Sequence, residues 1–208
     1  MQFRRGRARM KLVGRMVVNP AARSALREIL ETVLLTLVIF FGVRLVVQNF
    51  KVEGYSMEPT MHTGQYLLVN KAAYLLGQPQ RGDIIVFRFP RDPSRDFIKR
   101  IIGLPGETVE VKNGVVYING VPLDEPYIRE RPAYTYPPKV VPKDHYFVLG
   151  DNRNNSHDSH TWDFMPREYL IGKAWFTYWP PRQIGLVQHQ VKGAGLRETA
   201  VEQARPAA

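Results

Sequence analysis

Residues 96–103, DFIKRIIG, predict a β-strand with a basic side chain set among apolar ones. Apolar and polar side chains alternate in this run with the period of a strand, which would place Lys99 on the opposite face from Ile98. Burial beside Phe97 and Ile101 would lower the pKa of the Lys99 amine, and a neutral lysine can act as a base. A strand lysine more often extends its amine to water, so both interpretations stay open at this point.

The segments around this strand are β-rich and have frequent turns. Asn113-Gly114 separates two apolar runs and favours a two-residue type I′ hairpin, and Asn119-Gly120 predicts a further turn. Residues 121–143 contain six prolines, so we expect loop or extended edge there. Further strands are predicted at 66–69, 84–89, 108–111, 115–118, 145–149 and 174–178.

An apolar stretch precedes the β-rich part and predicts a membrane anchor. Residues 29–47 read ILETVLLTLVIFFGVRLVV, and as a helix they would be about 28 Å long, close to the ~30 Å hydrocarbon thickness of a bilayer. Glu31 and Arg44 lie near its ends, where each can reach a headgroup region, although a buried helix of a soluble core would also tolerate them. A cleaved signal peptide would need an A-x-A-like site, which residues 48–53 lack.

Positive charge is concentrated at the N-terminus. Residues 1–28 hold eight basic residues and one acid, so they carry +7 of the formal net charge of +10. This distribution argues against a nucleic-acid partner. Because basic residues accumulate on the cytoplasmic side of membrane helices, it predicts a cytoplasmic N-terminus. The chain has no cysteine, which excludes disulfides, thiol chemistry and cysteine-based metal sites.

A serine that could be a nucleophile lies in the stretch Gly54-Tyr55-Ser56-Met57-Glu58-Pro59-Thr60-Met61. Ser56 lies shortly before a proline that keeps the local backbone out of a helix. Alone, such a serine is usually only a turn residue. The nucleophile elbow G-x-S-x-G of the α/β-hydrolases is excluded, because Glu58 stands where its last glycine would be.

The segment 150–160, GDNRNNSHDSH, carries the densest polar chemistry of the chain. A calcium loop would place oxygen ligands at alternate positions, but Arg153 occupies one of them. His157 and His160 have no third well-spaced histidine or cysteine beside them, so no metal site is predicted. The composition favours a tight turn whose Asn and Asp side chains bond their own backbone.

Four motifs occur in a fixed order and together resemble one family. They are GYSMEPTM at 54–61, RGDIIVF at 81–87, FIKRIIGLPGE at 97–107 and GDNRNNSHDS at 150–159. They resemble the bacterial type I signal peptidases, membrane-bound Ser/Lys proteases that remove signal peptides from exported proteins. The resemblance covers roughly residues 27–180. It implies a mostly antiparallel β-sheet catalytic domain with a small insertion at about 105–143, an apolar surface that rests on the membrane, and no cofactor.

The resemblance also implies roles for particular residues. Ser56 would be the nucleophile and Lys99 its general base. Ser156 would hydrogen-bond and orient the lysine amine, while Asp158 and Gly150 would support the site. Apolar positions would line pockets for small side chains at the first and third residues before the cut, and so explain a preference for Ala-x-Ala. These positions are Phe50, Val52, Val86 and Ile98.

Two positions depart from the family pattern. Many members have a serine two positions before the nucleophile, whose hydroxyl helps to hold the oxyanion, and here that position is Gly54. The second oxyanion donor is therefore unassigned, and we expect a serine at this position to be tolerated. His160 stands where arginine is usual, which changes the local ion pairing because histidine, unlike arginine, loses its charge near neutral pH.

The sequence thus predicts four parts. A basic cytoplasmic tail, 1–28, would lead into a single-pass anchor in the cell membrane, 29–49, an extracytoplasmic catalytic domain, 50–184, and a disordered tail, 185–208, which lacks periodicity. The partners would be exported preproteins and the lipid bilayer, and the enzyme would be a monomer. Two alternatives remain open. A Ser/Lys self-cleaving repressor should carry a DNA-binding helix pair and no transmembrane helix, and a membrane-anchored β-domain would only bind partners.

Overall fold

A computed structural model describes residues 20–75 and 77–189, which form a long N-terminal helix and a β-rich body. Helix α1 is Pro20–Val46. Its segment Ser24–Val46 is long and apolar enough to cross a membrane. The helix overlaps most of the predicted anchor, 29–49, and a strand follows it from Val47. The bounds of the membrane-spanning part stay a prediction.

Antiparallel strands make up the body. In chain order they are β1 (Val47–Lys51), β2 (Tyr66–Asn70), β3 (Ile84–Phe89), β4 (Asp92–Gly103), β5 (Thr108–Lys112), β6 (Val115–Ile118), β7 (Val121–Pro122), β8 (Tyr136–Val140), β9 (His145–Leu149), β10 (Met165–Pro166), β11 (Leu170–Trp179) and β12 (Gly185–Leu186). A short helix α2 (Ser159–Trp162) follows β9. The larger sheet has the order β1-β2-β11-β3-β4-β9-β10, with β12 paired to β11, and the smaller has the order β7-β6-β5-β8. The mostly antiparallel β fold is therefore as predicted.

Strand β3 shows why the centre of the larger sheet is rigid. Its continuous apolar run buries side chains on both faces, with Ile84 and Val86 in one core cluster and Ile85 and Phe87 in another. Strand β4 pairs beside it in antiparallel register. Each strand predicted from the sequence is present, and the strand predicted at 96–103 extends back to Asp92.

The smaller sheet lies within the predicted insertion. Asn113 and Gly114 both have positive φ, 50° and 72°, as a type I′ turn requires. The hairpin of β5 and β6 is therefore confirmed. Alternate side chains of these strands, such as Val109 and Val116, enter a core that also holds Phe147 of the larger sheet.

The predicted disordered tail, 185–208, is corrected over its first residues. Gly185–Leu186 pairs with β11, and the Val187 N–H donates to Trp175 O at 2.9 Å. His189 Nδ1 accepts a hydrogen bond from the Ile84 N–H at 3.0 Å. Burial lowers the pKa of His189 to about 4, so the ring stays an acceptor at neutral pH. Backbone pairing and one imidazole ring make these contacts, and neither produces a periodic pattern of side chains in the sequence. Residues 190–208 lie outside the described residues.

Candidate active site

Ser56 lies in the loop that connects β1 to β2. Three apolar side chains of this loop, Val52, Met57 and Met61, are 2%, 1% and 3% exposed and join the core beneath the sheet. Ser56 lies between these anchors and is only half-buried. The alternation of buried and accessible residues therefore fixes the loop while leaving the serine hydroxyl at the surface of a cleft.

Strand β4 brings Lys99 to this serine. Its side chain is 4% exposed, and Nζ donates to Ser56 Oγ at 2.7 Å and to the Ile98 carbonyl at 3.0 Å. The amine also lies 5.2 Å from the centre of the Phe97 ring. The two residues stand 43 positions apart in the chain, so only the fold brings them within hydrogen-bond distance.

The surroundings of Lys99 favour its neutral form. Burial lowers the pKa of its amine from 10.5 to about 8, although the carboxylates of Asp158 and Asp151 act in the opposite direction. The sequence left two interpretations of Lys99 open, a buried amine and an amine extended to water. The structure shows the buried amine. Near pH 8 a large share of the amine is unprotonated and can accept a proton from the Ser56 hydroxyl.

The lowered pKa predicts how activity depends on pH. The ammonium cannot accept a proton, so below about pH 8 the value of kcat/KM is expected to rise about tenfold per pH unit and then to level off. Initial rates of peptide cleavage between about pH 6 and pH 9.5 measure this limb. A rate that is independent of pH across this window would contradict the assignment of a base that titrates near 8.

Gly150 allows two parts of the site to approach each other. A Cβ atom at this position would lie 2.2 Å from Ser156 Oγ and 2.4 Å from the Ser56 carbonyl oxygen, so no other residue fits without movement of the backbone. Its N–H donates to Asp158 Oδ2 at 2.8 Å. The predicted supporting residues Gly150 and Asp158 are thus in contact with each other beside Ser56.

Asp158 is fully buried and caps helix α2. Its Oδ1 accepts the His160 N–H at 3.2 Å and lies 2.6 Å from His160 Nδ1. The imidazole stacks on Tyr134 with ring centres 3.9 Å apart. The pairing that arginine would make from position 160 is therefore made here by histidine.

Ser156 does not make the hydrogen bond predicted for it. Among the described residues its buried Oγ has no hydrogen-bond partner, and the Lys99 amine donates instead to Ser56 and to the Ile98 carbonyl. The expected contact between Ser156 and the amine is therefore not present in this structure.

A cleft of about 480 Å³ opens beside the serine and the lysine. Phe50 and Ile98, two of the four residues predicted to contact substrate, line it. Val52 and Val86 do not line it. They are 2% and 0% exposed and pack with Ile98 in the core. Their place in the substrate pockets therefore stays a prediction.

A family model for "Signal peptidase, peptidase S26" matches residues 26–179. The chain belongs to this signal peptidase family. A probable signal peptidase I-2 from Synechocystis sp. is 46% identical over 77% of this chain and 76% of that protein. A signal peptidase I from Leptolyngbya laminosa is 45% identical over 80% of this chain and 86% of that protein. A crystal structure of a signal peptidase I from Enterococcus faecalis, 38% identical, covers 47% of this chain and 97% of that chain with a TM-score of 0.41.

Membership of the signal peptidase family decides between the alternatives left open by the sequence. The chain is a serine endopeptidase anchored to a membrane, and it removes signal peptides from exported proteins. Neither a self-cleaving repressor nor a β-domain that only binds partners accounts for a match that extends from the anchor through the last long strand, 26–179.

Two buried ion pairs of this signal peptidase were not predicted from the sequence. Arg100 donates to both carboxylate oxygens of Asp151, at 2.8 and 2.7 Å, and both side chains are almost fully buried. Arg153 donates to both oxygens of Glu125, at 2.7 and 2.6 Å. The available signal was the presence of charged residues, Arg100, Asp151 and Arg153, inside the motifs around Lys99 and Gly150. Charged side chains are seldom fully buried unless they are paired.

Position 54 of this signal peptidase has a backbone conformation that favours glycine. Gly54 has φ of +87°, which costs an L-residue roughly 1–2 kcal/mol. A Cβ there would meet no atom within 4 Å, so strain and not collision is the obstacle. Tolerance of serine at this position therefore stays a prediction, with a cost in stability of this size.

The substitution Gly54→Ser is expected to lower the free energy of unfolding by roughly 1–2 kcal/mol without raising kcat. Gly185→Ser is the matched control, because its Cβ would also meet open space but its φ is not positive. Urea unfolding of the full chain in detergent compares the two variants. A Gly54→Ser protein that is as stable as the control and faster than wild type would overturn this account.

Proposed function

We propose that Ser56 is the nucleophile and Lys99 the general base of signal-peptide cleavage. The single observation that carries the proposal is the 2.7 Å contact between Ser56 Oγ and the Nζ atom of a lysine that is 4% exposed. A lysine whose pKa is lowered by burial can be neutral at a working pH, and a serine needs such a base to become a nucleophile.

The first half of the reaction is acylation. Neutral Lys99 takes the proton of Ser56, and Oγ attacks the carbonyl carbon of the scissile bond. The resulting oxyanion is held by backbone N–H donors, of which the Ser56 N–H is one. The Lys99 ammonium then gives its proton to the amine of the departing mature protein, and the signal peptide remains as an ester on Ser56.

The second half of the reaction is hydrolysis of this ester. Lys99 is neutral again once it has protonated the departing amine, so it can take a proton from a water molecule in the cleft. The hydroxide attacks the ester carbonyl, and the ammonium returns the proton to Ser56 Oγ. The signal peptide leaves with a new carboxylate, and the enzyme returns to its starting state.

Small side chains at the first and third residues before the cut are the proposed specificity. Phe50 and Ile98 support this proposal as walls of the cleft. Val52 and Val86 would act indirectly, because they pack against Ile98 in the core and limit how far this side of the cleft can move. A preprotein with Ala-x-Ala before the cut, compared with one that has Phe in place of the last Ala, tests this with enzyme in detergent. Equal cleavage of both would exclude pockets for small side chains.

We further propose that the N-terminus is cytoplasmic, that the body from about residue 50 is extracytoplasmic and that one chain is sufficient for activity. The +7 charge of residues 1–28 supports the orientation, and all site groups named above come from one chain, which is why a monomer is sufficient.

The orientation predicts a defined pattern of protection in spheroplasts. Protease added from outside is expected to digest the β-rich body and to spare a tag attached at Met1. Permeabilised cells, in which both regions should be digested, provide the control. A tag that is lost while the body survives would reverse the proposed orientation.

A further inference from the structure

The peptide group that joins Tyr55 to Ser56 is held from one side. The Asn152 Nδ2 donates to the Tyr55 carbonyl at 3.1 Å, and the Glu58 N–H donates to the same oxygen at 3.2 Å. The backbone N–H of Asn152 donates to the next carbonyl, that of Ser56, at 3.0 Å. Asn152 therefore contacts two successive carbonyl groups of the nucleophile loop, one through its side chain and one through its backbone.

This contact also fixes where the Ser56 N–H points. The Tyr55–Ser56 peptide is trans, since the cis bonds of the described chain lie at Pro59 and Pro180. In a planar trans peptide the C=O and the N–H point in opposite directions. With its C=O held toward Asn152, the peptide directs the Ser56 N–H away from Asn152. Ser56 lines the cleft and Asn152 does not.

The Ser56 N–H is available to a ligand. Within residues 20–75 and 77–189, no group accepts a hydrogen bond from it. Gly54 has no side chain that could provide a second donor, and no atom lies within 4 Å of where its Cβ would be. Without a hydroxyl at position 54, the Ser56 N–H must provide a larger share of oxyanion stabilisation, so its orientation matters more.

We propose that Asn152 is a positioning residue for the oxyanion, acting through the peptide group of Tyr55 and Ser56. This inference rests on the proposed function of Ser56. The Asn152 side chain touches neither the substrate nor Lys99 and holds the donor in place before the oxyanion forms. Preorganised donors stabilise the transition state more than the bound substrate, so removal of the Asn152 side chain should lower kcat and leave KM nearly unchanged.

The test uses the full chain in detergent with the Asn152→Ala variant, which keeps the backbone bond to Ser56 O. We expect kcat to fall by about 10- to 100-fold, with KM changed by less than about threefold. The pH midpoint near 8 should not move, because the contacts of Lys99 are untouched. Asn152→Asp keeps the shape of the side chain and removes its N–H donor, so its kcat should match that of Asn152→Ala. If Asn152→Ala fails to fold, Asn152→Asp replaces it in the test.

Asn154→Ala is the matched control, because this asparagine lies in the same loop but bonds the backbone of Arg131 and Ala133. It is expected to keep its kcat. The positioning role would be overturned if Asn152→Ala had the kcat of wild type. A raised KM or a shifted pH midpoint would also overturn it, because either change would indicate general loosening of the loop. Ser56→Ala in the same assay separates the two proposals. If it is inactive while Asn152→Ala is fully active, the positioning role fails and the nucleophile stands.

Discussion

Ser56→Ala and Lys99→Met are each expected to lower kcat/KM for preprotein cleavage by about 10³-fold or more. In the proposed mechanism the serine provides the attacking oxygen and the lysine is the base that activates it, so loss of either residue should stop the reaction. Groups that act as one unit have strongly non-additive effects. The double variant should therefore be little worse than either single variant. Purified full-length proteins, assayed at pH about 8 on one preprotein, provide the comparison.

Stability measurements show whether a loss of activity is caused by unfolding of the variant. Folding lowers the pKa of Lys99 from 10.5 to about 8, so between these values the unfolded chain binds more protons and stability rises with pH. Below about pH 8 the buried ammonium lowers stability, and Lys99→Met removes this cost. The variant should thus be folded and, at neutral pH, no less stable than wild type. Substantial cleavage by either single variant would falsify the Ser56–Lys99 assignment.

Glu125→Ala is expected to lower the free energy of unfolding by about 3–5 kcal/mol, the largest effect on stability that we anticipate. Glu125 and Arg153 are 5% and 0% exposed, and two hydrogen bonds join them. Removal of the carboxylate leaves a buried guanidinium without its partner. Because Arg153 Nε also donates to the Gly150 carbonyl at 3.0 Å, the disturbance reaches the loop that contacts Ser56.

Glu110→Ala is the matched control for this substitution. Glu110 lies in the same insertion and pairs with Lys112 at 2.9 Å, but the lysine side chain is 48% exposed. An exposed pair contributes about 0–1 kcal/mol. Urea unfolding of both variants in detergent can be followed through tryptophan fluorescence, to which the buried Trp162, 5% exposed, contributes. Equal losses of stability would show that burial of the Arg153 pair is not what matters.

Local pattern was enough to predict most of the fold. The apolar run of β3 and the Asn113-Gly114 turn determine short-range structure, and both were placed correctly from sequence. Strand β12 was missed because its two residues pair through backbone groups, which any side chains permit.

The candidate site was predicted in part for a related reason. Ser56 and Lys99 lie in motifs that the family resemblance identifies, and the fold places them in contact. Which of Phe50, Val52 and Val86 faces the cleft depends on strand register and on tertiary packing, neither of which is encoded locally. The contacts of Asn152 join segments 97 positions apart, so they could be found only from the folded chain.

The most direct test of the account is to locate the acyl group during turnover. The full-length enzyme is mixed with a peptide ester that ends in Ala-x-Ala, quenched in acid, and digested for mass spectrometry. The account predicts an acyl group on Ser56 in the wild type, and acylation about 10³-fold slower in Lys99→Met. An acyl group on another residue, or acylation of Ser56 at an unchanged rate in Lys99→Met, would contradict the proposed catalytic pair.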